Sequence, residues 1–111
     1  MKKPPYYVTD PWHFLDERGE VPNDLPRPAQ KLILFLGQMI EEVSSLTAGR
    51  TFLTSLKCWR RPKRKPCRGE ILSWRDDESD SIRWQCSRCQ MGGEIRNWRG
   101  SPWDRSKGLW S

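Results

Sequence analysis

The spacing of four cysteines constrains the fold of this chain more than any other feature. Cys58, Cys67, Cys86 and Cys89 are separated by eight, eighteen and two residues, and all lie in the second half of the 111-residue chain. Two cysteines three positions apart on a tight turn direct both thiolates at one metal ion, and four thiolates complete the tetrahedral shell of Zn²⁺. The spacing predicts one Zn²⁺ ion with a structural role, because a catalytic zinc keeps a coordination position open.

Two disulfides or four free thiols are the alternatives for these cysteines. Disulfides need an oxidising compartment, and the basic segment Met1–Pro5 is followed by no apolar run typical of a secretory signal. No stretch approaches the ~20 apolar residues of a membrane helix, so we expect a cytoplasmic protein. Cys58 is the least secure ligand, because a gap of eight residues exceeds that of ordinary zinc knuckles. The single histidine, His13, is a minor alternative to it.

Short runs of alternating apolar and polar residues follow the first cysteine pair and predict strands. Gly69–Arg75 and Ser81–Cys86 flank an acidic turn, and Glu94–Trp98 follows a second turn at the glycine pair 92–93. A hairpin that joins two cysteine pairs and is followed by a third strand is the layout of a zinc ribbon. Thr51–Leu56 is a candidate for a further strand that leads into the first cysteine.

The first half of the chain predicts a proline-rich arm followed by one amphipathic helix. Six of the nine prolines fall within residues 1–30, and they favour an extended arm over residues 1–27. Apolar residues then recur every three or four positions over residues 28–49, which predicts a helix that ends near Gly49 and packs on the second half. A partner-binding or coiled-coil helix is the alternative. Gly37, in mid-helix, indicates close packing or a slight bend.

These patterns together predict a small α+β fold. One amphipathic helix packs against a three-stranded antiparallel zinc ribbon over residues 50–104, and a short tail follows over residues 105–111. Apolar residues make up 35% of the chain and charged residues 31%, so the core is small and depends on metal and on aromatic burial. We expect Trp74, Trp84 and Trp98 to pack in this core rather than to stack on bases.

The basic residues are concentrated around the first cysteine pair. Residues 1–56 carry six basic and seven acidic side chains, whereas residues 57–111 carry fourteen basic and seven acidic ones. A basic loop that is anchored by cysteines and stiffened by prolines is typical of a phosphate-binding surface, with a merely solvated loop as the alternative. The predicted nucleic-acid-binding residues are Trp59, which would stack on a base, and the cations Arg60, Arg61, Lys63, Arg64, Lys65, Arg68 and Arg88.

The sequence contains no constellation typical of an enzyme. It has no Gly-rich phosphate loop, no Gly-x-Ser-x-Gly motif and no histidine paired with a nucleophile. The acidic run at 76–80 is typical of a hairpin turn rather than a divalent-metal site. His13, between two aromatic residues, is more typical of packing than of acid–base chemistry. We therefore expect a binding protein and not an enzyme.

The combination of motifs resembles a group of small uncharacterised bacterial zinc-ribbon proteins. The likeness is carried by Cys58, Arg61-Pro62, Lys65-Pro66-Cys67, Gly69, Ile82, Cys86-x-x-Cys89, Glu94-Ile95, Asn97-Trp98 and Trp103. It extends over residues 12–104 and includes an aromatic, proline-containing segment, Trp12–Pro22, before the helix. The resemblance implies the zinc-ribbon fold and a four-cysteine zinc site, and it implies no particular activity.

Two functions are compatible with these residues. The first is nucleic-acid binding through the basic loop, with DNA and RNA not distinguished, and it is preferred because crowded positive charge is neutralised best by a polyanion. The second is a protein-interaction adaptor, in which the zinc is purely structural and the helix or the aromatic arm docks a larger partner. An adaptor of this kind requires an exposed apolar patch on the helix or the arm.

Overall fold

The computed structural model describes residues 5–46, 48–61 and 64–106. Its elements, in chain order, are β1 (Tyr6–Thr9), a short 3-10 helix (Pro11–Phe14), α1 (Arg27–Val43), β2 (Phe52–Lys57), β3 (Glu70–Arg75), β4 (Ile82–Cys86) and β5 (Gly92–Ile95). Within the described ranges, no helix combines the length and apolarity needed to cross a bilayer. Of the predicted C-terminal tail, residues 107–111 lie outside the described residues.

The five strands form one mixed sheet in the order β1-β5-β4-β3-β2. The pairs β2–β3, β3–β4 and β4–β5 are antiparallel, whereas β1 lies parallel to β5. The prediction of a small α+β fold is confirmed for the described part of the chain, but the prediction of three antiparallel strands is wrong. The arm supplies an edge strand, and the candidate strand before the first cysteine is present as β2.

β1 was not predicted from the sequence, because its strand conformation depends on a partner that is distant in the chain. Tyr6 pairs with Gly92 and Thr9 pairs with Ile95, so almost the whole chain separates the two strands. The neighbouring prolines indicated an extended arm, and prolines are tolerated beside a strand only at a sheet edge. The arm therefore docks on the chain's own sheet rather than extending into solvent.

The glycine pair that was predicted as a turn lies inside β5. The turn precedes it, at residues 87–90, and is closed by a 2.7 Å hydrogen bond from the Cys86 N–H to the Met91 carbonyl. A Cβ at Gly93 would collide with the Tyr7 carbonyl and would lie 3.0 Å from the Trp84 ring. The missing side chain thus lets β1 and the Trp84 ring pack tightly against β5.

Most of the apolar stripe of α1 is covered by the rest of the molecule, whereas Leu32 and Phe35 near its start are only half-buried. The residues that face the core and are at most 1% exposed are Ile33, Leu36, Met39, Ile40 and Val43. Ile71, Ile82 and Ile95 are likewise buried and meet this stripe from the sheet. This burial agrees with the prediction of a core helix, because a docking or coiled-coil helix would leave its stripe open.

The helix ends several residues before the predicted boundary at 49. The Ser44 N–H donates to the Ile40 carbonyl, and the chain then leaves the helix after Val43. Gly49 adopts a φ of 83°, but its N–H donates to the Arg75 carbonyl at 2.9 Å. It therefore ties the connection between α1 and β2 to the end of β3 and does not cap the helix.

Trp84 and Trp98 pack in the core, as the sequence predicts, and each is 1% exposed. The Trp98 indole N–H donates to the Asp80 carbonyl at 2.6 Å, which fastens the acidic turn to the core. Trp74 is only half-buried, because it pairs with Arg83 on the face of the sheet that points away from the core. At Gly37 an added Cβ would lie 2.5 Å from the Trp103 ring, so the predicted close packing of this glycine is found.

Candidate metal centre

The four cysteines meet at one end of the sheet, where two hairpins bring them together. Cys58 directly follows β2 and Cys67 lies three positions before β3; Cys86 ends β4 and Cys89 lies three positions before β5. Each hairpin therefore supplies one cysteine from the end of a strand and one from the turn that follows it. The equivalence of the two pairs was hidden in the sequence by their unequal spacing.

The long gap between Cys58 and Cys67 is closed by main-chain hydrogen bonds. The Cys58 N–H donates to the Gly69 carbonyl and the Cys67 N–H donates to the Arg60 carbonyl, each at 2.9 Å. The intervening residues consequently form a loop outside the cluster and do not separate its sulfurs. Cys58, the least secure ligand on spacing, lies with the others, whereas His13 lies exposed in the 3-10 helix.

The sulfur positions fit a tetrahedral metal site. All four Sγ atoms lie within 4.8 Å of one another. The Sγ atoms of Cys58 and Cys89 are 3.7 Å apart, and those of Cys67 and Cys86 are 3.5 Å apart. Sulfurs bound at ~2.3 Å around a tetrahedral ion stand about 3.8 Å apart, whereas a disulfide requires about 2.05 Å. All four cysteines are free, and together they can hold one metal ion in a closed shell.

Main-chain N–H groups at equivalent positions of the two hairpins donate to one sulfur of each. The Arg60 N–H donates to Cys58 Sγ and the Arg88 N–H donates to Cys86 Sγ, each at 3.4 Å. Both donors stand two residues after the cysteine that ends a strand, so the two hairpins repeat the same local geometry. A hydrogen bond to sulfur favours the thiolate, which is the form that binds metal.

The pKa values of the thiols indicate that ionising several of them at once is unfavourable. Burial raises the pKa of the Cys58 and Cys86 thiols above the ordinary value, despite their N–H donors. Burial also opposes ionisation of Cys89, but hydrogen bonds from the Met91 N–H and the other thiols outweigh it and lower that pKa to about 7. One thiolate forms readily in such a cluster, and a bound cation favours the thiolate at all four positions.

Besides the four cysteines, the geometry of the site requires a glycine at position 69. A Cβ at this position would collide with Cys86 Sγ and would lie 3.1 Å from Arg88 Cβ. The sequence placed Gly69 only at the start of a strand and gave no sign of its contact with a sulfur. The contact arises because the two hairpins pack directly against each other at the cluster.

The described members of the predicted phosphate-binding set lie on the loop and turns that carry the four cysteines. Arg60 is half-buried, Lys63 lies outside the described residues, and the exposed members are Arg61, Arg64, Lys65, Arg68 and Arg88. Salt bridges in the described structure are formed instead by Lys57, Arg83, Arg96, Arg99 and Arg105. Among the described residues, the cations at the metal centre therefore have no carboxylate partner within salt-bridge distance.

Trp59 lies beside these cations in an aromatic cluster that the sequence did not predict. Its ring centroid is 4.6 Å from that of Phe35, 5.6 Å from that of Trp84 and 6.0 Å from that of Tyr7. Trp59 is nevertheless 43% exposed and Tyr7 38% exposed. The three partners come from β1, α1 and β4, so no local motif could have indicated that they meet Trp59.

Comparison of the chain with protein-family models, curated proteins and solved structures gives no match. The resemblance to small bacterial zinc-ribbon proteins consequently depends on the motifs alone. The structure defines the class of protein more coarsely, as a small α+β protein with a four-cysteine site compatible with the metal site of a zinc ribbon.

Proposed function

We propose that the protein is a zinc-stabilised module that binds nucleic acid at its metal centre, through the basic loop, residues 59–66, and the adjoining Arg68. The observation that carries the proposal is the grouping of cations on a loop whose two ends lie beside the clustered sulfurs of Cys58 and Cys67. Within the described part of this loop, no cation is within salt-bridge distance of a carboxylate. Like charges held close together repel one another, and a polyanion relieves the repulsion while releasing its own counterions. Arg88, on the second hairpin, extends the positive surface across the centre.

Zinc is the metal that this donor set favours. Thiolates are soft ligands, which disfavours Mg²⁺ and Ca²⁺, and closed tetrahedral four-cysteine sites are typical of structural Zn²⁺. The ion would link the two hairpins and fix both ends of the basic loop, so we expect it to stabilise and not to catalyse. We propose no enzymatic role for the groups of this site.

Metal content and metal removal test the zinc assignment. Elemental analysis of protein purified without chelators should give one zinc per chain, and the absence of visible absorption would distinguish zinc from iron. A strong chelator at neutral pH should unfold residues 57–100, because a sheet this small needs the free energy of metal binding. Native near-ultraviolet circular dichroism in metal-free protein would contradict the structural role.

Salt-dependent binding tests the nucleic-acid assignment. Fluorescence anisotropy with labelled single-stranded and duplex oligonucleotides should show affinity that falls as salt rises, with a slope of about −0.7 to −0.9 per phosphate neutralised. Replacing Arg61, Arg64 and Lys65 by Gln should weaken binding and flatten that slope.

The matched control replaces Arg18, Arg50 and Arg105 by Gln. It changes the net charge equally, but Arg18 lies in the segment before α1, Arg50 precedes β2, and Arg105 pairs with Glu41 of α1. Equal losses in the two triple variants, or no binding at low salt, would contradict nucleic-acid binding through this loop.

A protein-interaction adaptor is the second candidate function, and it is supported by the exposed apolar side chains of the N-terminal arm. Tyr6, Val8 and Trp12 are 57%, 53% and 40% exposed, so three large apolar side chains of one short segment are accessible to a partner. The core-facing stripe of α1 is buried from Leu36 onward, which gives no support to docking through that part of the helix. Crosslinking in cells that places a protein partner on residues 6–12, in protein free of nucleic acid, would favour the adaptor.

A further inference from the structure

A cleft of about 550 Å³ opens beside Trp59, between β1 and the first turns of α1. Its walls are the apolar side chains of Tyr7, Leu32, Phe35 and Trp59, and its charged groups are Arg27 and Lys31. The volume is in the range of sites that bind small organic groups. We call this feature the aromatic cleft.

The rings of the aromatic cleft are held in place from behind. Trp84 is 1% exposed and lies parallel to the Tyr7 ring, with 6.3 Å between the ring centroids. Its centroid is 5.4 Å from that of the Phe35 ring. Phe35 in turn meets Trp59 edge-on, at an interplanar angle of 88°. The exposed rings of Tyr7 and Trp59 are thus fixed against a buried one, so a ligand that packs on them orders few additional side chains.

The charge of the aromatic cleft points to an anionic ligand. The cleft is lined by two cations and by no carboxylate among the described residues, and the basic loop continues from Trp59. A second cleft of about 550 Å³ is lined by Arg83, Arg96 and Arg99. There each arginine is paired with a carboxylate, from Asp76, Glu94 and Asp80 respectively. The aromatic cleft differs from this second cleft in combining exposed rings with cations that have no carboxylate partner among the described residues.

We propose that the aromatic cleft stacks an unpaired nucleobase on Trp59, with the Tyr7 ring, tilted by 50° from that of Trp59, against the edge of the base. Arg27 and Lys31 contact the flanking phosphates, so that the protein prefers single-stranded nucleic acid. The inference rests on the proposed nucleic-acid binding and names its substrate class. A base in a duplex is already stacked on its neighbours, whereas a single strand offers its bases to aromatic side chains. The phosphates on one side of the stacked base then continue onto the basic loop.

The test compares the affinities of the wild-type protein for a labelled oligothymidylate and for a duplex of the same length. The single strand should bind more tightly, and Trp59→Leu should weaken that binding by about 5- to 150-fold, the range for loss of one stacked base. Trp59→Phe, which keeps a ring, should retain most of the affinity. The matched control is Trp12→Leu, because Trp12 is 40% exposed and lines the second cleft.

A second variant keeps the test valid if Trp59→Leu disturbs the packing of the cleft. Lys31 lies at an exposed position of α1. Lys31→Gln should reduce the salt slope for the single strand by about 0.7, the value for one phosphate contact. Metal content and melting temperature of each variant should match those of the wild type.

The outcomes separate the two proposals. Equal affinity for single strand and duplex, with Trp59→Leu no weaker than Trp12→Leu and Lys31→Gln unchanged in slope, overturns the aromatic cleft and leaves binding through the basic loop standing. No salt-dependent binding to either oligonucleotide overturns the proposed function itself, and the cleft with it.

Discussion

Replacing Gly69 by alanine should weaken metal binding even though Gly69 is not a ligand. The new Cβ would collide with Cys86 Sγ and approach Arg88 Cβ to 3.1 Å, so the sulfur must leave its tetrahedral position or the second hairpin must shift. Disturbing groups that orient metal ligands typically lowers metal affinity 10- to 100-fold. We expect a loss in at least this range, or about 1.4–2.7 kcal/mol, because the collision is with the ligand atom itself.

Competition with a chromophoric chelator measures this loss, and Co²⁺ substitution reports the tetrahedral geometry through its absorption spectrum. Gly100→Ala is the matched control: Gly100 has a φ of 80°, and an added Cβ would have no neighbour within 4 Å. It should lower stability by about 1–2 kcal/mol through backbone strain without changing metal affinity. Equal metal affinities for Gly69→Ala and Gly100→Ala would refute the reasoning from the packing of the two hairpins.

Two further predictions concern stability. Leu36→Ala, at a fully buried position of α1, should lower the free energy of unfolding by about 2–5 kcal/mol in urea titration; Leu34→Ala, at a 62% exposed position, should cost less than about 0.5 kcal/mol, and equal costs would contradict the described core. Burial raises the pKa of Glu42, but hydrogen bonds from Ser55 and Gln38 outweigh it and hold that pKa below its usual value. Because the folded-state pKa is lower than the unfolded one, this carboxylate stabilises the fold above about pH 4.5, and its contribution is lost as pH falls through the folded-state pKa. Unfolding free energies of Glu42→Gln should therefore fall less than those of the wild type as the pH is lowered from about 6 through the folded-state pKa, and parallel pH profiles would contradict the assignment.

The proposed function makes the metal and the basic loop a single unit. Cys58 and Cys67 flank the loop, and the main chain of Arg60 both donates to one sulfur and accepts from the other cysteine's N–H. Loss of the metal would free both ends of the loop and disperse its charges. Ligands that bind only the folded form stabilise it in turn, so nucleic acid and metal should each strengthen retention of the other.

Much of the metal centre could be predicted from the sequence because its constraints are local. The pair Cys86 and Cys89 lies on one short turn, and a tetrahedral metal ion then requires two further ligands, for which Cys58, Cys67 and His13 are the soft candidates. The helical stripe that includes Leu36 and Val43 was likewise visible, since a period of 3.6 residues follows from helix geometry alone. The sequence on its own thus determined the four-cysteine cluster, one core helix and a hairpin with an acidic turn.

Tertiary structure decided the features that depend on contacts between distant residues. The parallel pairing of β1 with β5 is invisible in a proline-flanked segment of four residues, because an edge strand gains its conformation from its partner. The collision that makes Gly69 necessary and the meeting of Tyr7, Phe35 and Trp59 both need the packed sheet. Composition and spacing determine which groups are available, and only the packing of the sheet against α1 decides which of them share a site.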